Sequence, residues 1–169
     1  MIQVFTTGGT IDKVYFDAQS EFEVGEPLVA EILQTSGVRL PFEVETLLRK
    51  DSLDITDAER EAVAERIAAC SAERVLVTHG TDTMAATAQA TADALGPTAT
   101  KTVVFVGSLT PARFRETDAE FNVGFAWAAM QAMPPGVYVA MNGQVFDARS
   151  VRKNRNANRF EDSREPTAA

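Results

Sequence analysis

Apolar and polar positions along this chain switch between two periods, and the switches mark its elements. Residues 2–5 form a short apolar run around Ile2, Val4 and Phe5 and read as a first strand. Residues 27–34 read as a helix. Pro27 suits a first helical position, Val29 and Leu33 share a face, and Gly37 follows as a stop. A second strand is expected over residues 42–48, with Val44 and Leu48 on one face. The second helix, residues 56–70, opens on Thr56-Asp57-Ala58-Glu59, a capping-box pattern. Residues 74–78 carry the unbroken run Val75-Leu76-Val77, which suits a strand buried on both faces. An alanine-rich helix over 83–95 ends at Gly96-Pro97, and a fourth strand follows at 102–106. A second capping-box pattern, Thr117-Asp118-Ala119-Glu120, opens a fourth helix that stops at Pro134-Pro135. A fifth strand spans 137–141, and Asn142-Gly143 turns into residues 144–146 as a hairpin partner.

Strands alternating with helices imply an α/β fold: a doubly wound, mostly parallel sheet with helices on both faces and right-handed crossovers. For five such strands we expect the order 2-1-3-4-5, with a crevice at the carboxyl ends of strands one and three. Residues 12–25 are longer than an ordinary βα connection and show no strong periodicity, which fits a mobile lid over that crevice. A length of 169 residues suits one domain, read as residues 1–160, with 161–169 as a frayed tail.

Composition narrows the function. With 45% hydrophobic residues, a core forms without disulfides or metals. The single cysteine, Cys70, has no internal partner and reads as a small packed residue, in keeping with a reducing cytoplasm. No targeting segment is visible, and no apolar run reaches the roughly 18 residues of a membrane span. Twenty-four acidic residues against 16 basic give a net charge of −8, which disfavours nucleic-acid binding. The exception is the stretch from Arg149 to Arg159, with five basic residues, which reads as a solvated face apart from Lys153. Histidine and cysteine ligands are not clustered, so no metal is expected.

Two segments fall at the expected crevice: Thr7-Gly8-Gly9-Thr10-Ile11 and Thr78-His79-Gly80-Thr81-Asp82-Thr83-Met84. Glycine directly after a strand permits a sharp turn and close backbone approach. Such a turn aims amide N–H groups at a developing oxyanion, and its hydroxyl supplies a nucleophile or a proton relay. His79, the only histidine, precedes its glycine and lacks a serine or cysteine partner motif, so it reads as structural.

The pair T-G-G-T-I and H-G-T-D-T resembles the L-asparaginase family. The resemblance continues through Asp51-Ser52, Val106-Gly107-Ser108 and Asp147-Ala148-Arg149 with Lys153 following, nearly the whole chain. It implies the fold of the family's N-terminal domain. The common bacterial members carry a second domain, and this chain reads as a one-domain member. The resemblance assigns Thr10 as nucleophile and Thr81, Asp82 and Lys153 as a second triad. It gives Ser52 the substrate α-carboxylate, with Asp51 and Leu53 beside it. Backbone N–H groups near Thr10 and Thr81 would form the oxyanion hole, Gly9 and Gly80 would lie against the substrate, and Asp82 would face the α-ammonium.

Two positions depart from the familiar enzymes. Leu53 stands where they carry glutamine, and Phe22 stands where they carry a catalytic tyrosine. Tyr15, earlier in the lid, is the better source of a phenol, and Lys13 lies two positions before it. The activity implied is hydrolysis of L-asparagine to aspartate and ammonia without a cofactor. The alternatives are a glutaminase or other small-amide hydrolase, including an ammonia-supplying subunit, and a non-catalytic carboxylate-binding protein. A homo-oligomer is also expected, with Phe114, Phe121, Phe125 and Trp127 as contact candidates.

Overall fold

In the computed structural model, residues 1–16 and 21–164 are described. The chain opens with β1 (Ile2–Gly8), a hairpin of β2 (Lys13–Phe16) and β3 (Glu21–Val24), and helix α1 (Val29–Thr35). Then come β4 (Phe42–Lys50), α2 (Asp57–Ala69), β5 (Arg74–Thr78), α3 (Met84–Leu95) and β6 (Thr102–Val106). Helix α4 (Ala119–Ala132), β7 (Gly136–Met141), β8 (Gln144–Asp147), β9 (Val151–Asn154) and β10 (Arg159–Asp162) complete it.

The main sheet runs β4-β1-β5-β6-β7-β8, parallel except for β8, which returns antiparallel on β7. With the outlying hairpins set aside, this is the expected order 2-1-3-4-5. Helix α2 packs on α3 and α1 on α4, so the pairs cover the two faces. The central strands are apolar throughout because both faces are covered: Val75, Leu76 and Val77 of β5 and Val103 to Val106 of β6 are fully buried. Each such side chain contributes about 1.5–3 kcal/mol on burial. From the helices, Val63, Ile67, Ala88, Val123 and Met130 complete the core. Lys101 closes the end of α2, its Nζ donating to the carbonyls of Ile67, Ala68 and Cys70. Among the described residues no helix is long and apolar enough to cross a membrane.

The first capping box forms as expected: Glu59 N–H donates to Thr56 Oγ1 at 3.3 Å, and Thr56 N–H to Glu59 Oε2 at 2.9 Å. The second does not. Asp118 is the capping residue of α4, and its carboxylate turns back to the amides of Leu109 and Thr110, each at 3.0 Å. Helix α1 starts at Val29 rather than at Pro27, because Leu28 is the capping residue. The stretch expected to be a lid without regular structure instead contains the β2–β3 hairpin, with Lys13 opposite Val24 and Tyr15 opposite Phe22. Glu161 and Asp162, expected to fray, pair with Arg152 and Val151 in the β9–β10 hairpin. Of the expected tail, residues 165–169 lie outside the described residues.

Candidate active site

The carboxyl ends of β1 and β5 lie side by side, with Thr6 opposite Thr78. Thr7 Oγ1 locks the two together by donating to the Thr78 carbonyl at 3.0 Å. The turns that follow touch backbone to backbone. A methyl group placed on Gly9 would lie 2.3 Å from Gly80 Cα, and one on Gly80 would lie 2.7 Å from Ser52 Oγ. Residues with side chains would hold these turns apart. Gly9 also has φ +93°, a conformation that glycine adopts without strain. Beyond it, Thr10 begins a 3-10 turn, Thr10–Asp12, and is partly exposed. Three segments distant in sequence thus meet at residues 9, 52 and 80.

Thr81 is buried beside this contact, and a lysine reaches it from β9. Lys153 Nζ donates to Thr81 Oγ1 at 2.7 Å and to Asp82 Oδ1 at 2.7 Å. The lysine side chain is 9% exposed, the aspartate 34%, and Arg155 approaches the same carboxylate at 3.9 Å. Pairing with Asp82 offsets the cost of burying the ammonium. It also leaves a hydroxyl held by a fixed positive charge at the crevice.

Asp51 caps a short turn, Ser52–Asp54, by accepting the Leu53 amide at 3.1 Å. Thr83 Oγ1 donates to the Ser52 carbonyl at 2.7 Å and fixes the turn against the Thr81 segment. Ser52 is buried, while Leu53 points outward and is 58% exposed. Lys13 Nζ pairs with the Asp51 carboxylate at 2.6 Å. Burial opposes the ionisation of Asp51, but the Lys13 ammonium and the Leu53 amide outweigh it, so its pKa is lowered.

His79 is structural. It is fully buried, and since a carbonyl only accepts, the Gly80 oxygen 2.8 Å away places the proton on Nδ1. Nε2 then accepts from the Thr87 hydroxyl at 2.8 Å. Burial pushes its pKa down to about 4, so the ring is neutral at pH 7 and braces the Gly80 carbonyl.

In the hairpin the Tyr15 and Phe22 rings meet edge to face at 5.4 Å, and Phe22 meets Phe114 at 6.1 Å. Among the described residues no hydrogen bond joins the Tyr15 hydroxyl, on a ring 52% exposed, to Thr10. A separate groove of about 680 Å³, lined by Gln3, Pro41, Arg66 and Cys70 among others, lies at the amino ends of β1 and β5, away from these groups.

Residues 1–167 match the family described as "Asparaginase, N-terminal". The chain belongs to the asparaginase family. Over 165 residues it is 31% identical to the "Probable L-asparaginase periplasmic" of Haemophilus influenzae, covering 90% of this chain and 46% of that one. It is 32% identical to the "Glutaminase-asparaginase" of Acinetobacter glutaminasificans over 137 residues, 77% of this chain and 39% of that one. Among solved structures, the thermostable L-asparaginase from Thermococcus kodakarensis superposes with a TM-score of 0.80 at 26% identity, covering 98% of this chain and 52% of that one. The probable cytoplasmic L-asparaginase from Campylobacter jejuni gives 0.79 at 29% identity, over 95% and 52%. The chain therefore spans less than half the length of these curated relatives.

Against that asparaginase background, Gly9, Gly80 and Ser52 pack too closely to admit a side chain at either glycine, and Lys153 joins Thr81 and Asp82 beside them through two hydrogen bonds of 2.7 Å. Leu53, next to Ser52, and Tyr15, on β2, are both more than half-exposed. Sequence reading passed over Asp12, which is buried in the turn that Thr10 begins. Its signal was an acidic residue two positions after Thr10, in a segment otherwise read as lid.

Proposed function

We propose that this site hydrolyses the side-chain amide of L-asparagine to aspartate and ammonia, without a cofactor. The observation that carries the reading is Lys153 Nζ, 2.7 Å from both Thr81 Oγ1 and Asp82 Oδ1, next to the Gly9–Gly80 contact. In this reading Thr10 Oγ1 adds to the amide carbon. Backbone N–H groups of the two glycine turns hold the oxygen as it becomes negative. The Thr81 hydroxyl, oriented and polarised by Lys153 and Asp82, relays protons, so that nitrogen leaves as ammonia. Water then adds to the carbonyl carbon and returns the proton to Thr10. Ser52 and Asp82 take the α-carboxylate and α-ammonium of the substrate. Tyr15 assists Thr10 when the hairpin folds inward.

A second reading, glutamine as substrate, is favoured by the relative named "Glutaminase-asparaginase". One methylene changes discrimination by only about 1–3 kcal/mol, so the same constellation serves either amide. Ammonia release with asparagine and with glutamine decides between them. Asparagine is expected to be preferred, and Thr10→Ala is expected to abolish turnover. Failure to release ammonia from either amide would leave only ligand binding. We also place the protein in the cytoplasm, in keeping with its single, half-buried Cys70, although the names of its relatives include both compartments.

A further inference from the structure

Asp12 ends the 3-10 turn that Thr10 begins, and it is 1% exposed. One carboxyl oxygen accepts the Leu28 amide, immediately before α1, at 3.0 Å. Among the described residues the other oxygen has no hydrogen-bond partner. The backbone of Asp12 is tied as well: its N–H donates to the Gly9 carbonyl at 3.1 Å, and Gly25 N–H donates to its carbonyl at 2.9 Å. One residue therefore fastens together the Thr10 turn, the root of the β2–β3 hairpin and the start of α1.

The charges that face it come from several elements. Arg113 lies in the loop before α4, and Arg49 lies on β4. Arg49 is paired with Glu26, and Lys13, the next residue in the chain, is paired with Asp51. Neither arginine contacts the carboxyl in a hydrogen bond, so the buried ion lacks full compensation.

We propose that Asp12 is a positioning residue whose protonation sets how firmly the Thr10 turn and the hairpin root close against α1. The neutral acid suits the closed, dry arrangement, whereas the ion gains by opening to water. Burial, outweighing the Leu28 amide and the two arginines, pushes the closed-state pKa up to about 6 from 3.8. If opening restores the ordinary value, linkage weakens closure by up to about 100-fold as pH rises from below 4 to well above 6.

The kinetic arm of the test rests on the reading of the site as an asparagine hydrolase; a spectroscopic arm does not. Asp12→Asn retains an acceptor for the Leu28 amide and stays neutral at every pH. Between about pH 5 and 8 the wild-type KM for asparagine should rise at least about fivefold relative to that of the variant, with kcat moving much less. In the full chain, the Leu28 amide chemical shift followed by NMR should titrate near pH 6 in the wild type and show no inflection there in the variant. A Leu28 midpoint near pH 4, a flat response, or the same KM profile in both proteins would overturn the assignment. Titration of Leu28 near pH 6 without asparagine turnover would sink the hydrolase reading and leave the Asp12 assignment standing.

Discussion

Replacing Lys153 by methionine tests whether Thr81, Lys153 and Asp82 act as one unit. Methionine keeps most of the apolar stem and removes the ammonium. Two charge-assisted hydrogen bonds are lost, both 2.7 Å long. Bonds of this kind are worth roughly 1.5–3 kcal/mol each, less here because Asp82 remains a third exposed and Arg155 stands 3.9 Å from it. The expected cost in stability is therefore about 1–3 kcal/mol, small enough to leave the protein folded. The cost in rate should be larger. A positioned proton relay contributes about 10²–10⁴-fold, and Thr81→Val should lose a similar factor. If the two losses were independent, the double variant would lose their product, about 10⁴–10⁸-fold. If they share one relay, the double variant should be no more than about threefold worse than the weaker single variant. Ammonia release at saturating asparagine measures the rates, and thermal melts confirm folding. Multiplicative losses, or a Lys153→Met enzyme that keeps a tenth of wild-type kcat, would refute the shared relay.

Gly9→Ala would place its methyl 2.3 Å from Gly80 Cα, so the turns must separate by about 1 Å to reach ordinary contact. A displacement of that size costs about 10²-fold in rate, and an undiminished kcat would show that the contact is dispensable. Tyr15→Phe should lower kcat strongly while Phe22→Leu leaves it nearly unchanged; a wild-type rate for Tyr15→Phe would remove the phenol from the mechanism and direct attention to Lys13. Since the folded pKa of Asp12 is raised to about 6, its ionisation in the fold costs stability, a cost absent below about pH 4 and complete above about 6. Asp12→Asn should match the wild type at pH 4 and exceed it by up to about 3 kcal/mol at pH 8, and equal melting temperatures at both would refute this. Phe121 and Phe114 are exposed, whereas Trp127 is buried against Phe42, so we expect self-association through the former pair. Light scattering that detects only an 18.3 kDa species would end that expectation.

Sequence reading succeeded where one local rule governed the outcome. Strands β5 and β6 begin and end where the apolar runs at Val75 and Val103 require, because burial on both faces leaves no competing pattern. Thr56 and Glu59 satisfy each other within three residues. It failed where a distant partner decided. The Thr117 pattern matches a capping box, but the Thr117 hydroxyl donates to the distant Thr110 carbonyl and accepts the Ala119 amide, and the helix caps one residue later at Asp118. Strands β2 and β3 are four residues each, so their alternation is too short to register. The ion pair of Asp51 with Lys13, 38 positions apart, was likewise invisible in the sequence. The likeness to asparaginases marked Lys153, while its placement depends on the β9–β10 hairpin folding back over α3.

That hairpin also fixes when the cluster can exist during synthesis. Ribosomes deliver Thr10, Ser52 and Thr81 well before Lys153, and domains fold from their amino-terminal side as they emerge. Asp82 must therefore wait, its carboxylate open to solvent, until β9 docks some 71 residues later in the chain. A nascent chain arrested before residue 153 would hold the two glycine turns against each other with no cation between Thr81 and Asp82. Thr81 and Asp82 thus gain their shared cation only when a strand far along the chain folds back, and any interruption of synthesis between residues 82 and 153 leaves the pair incomplete.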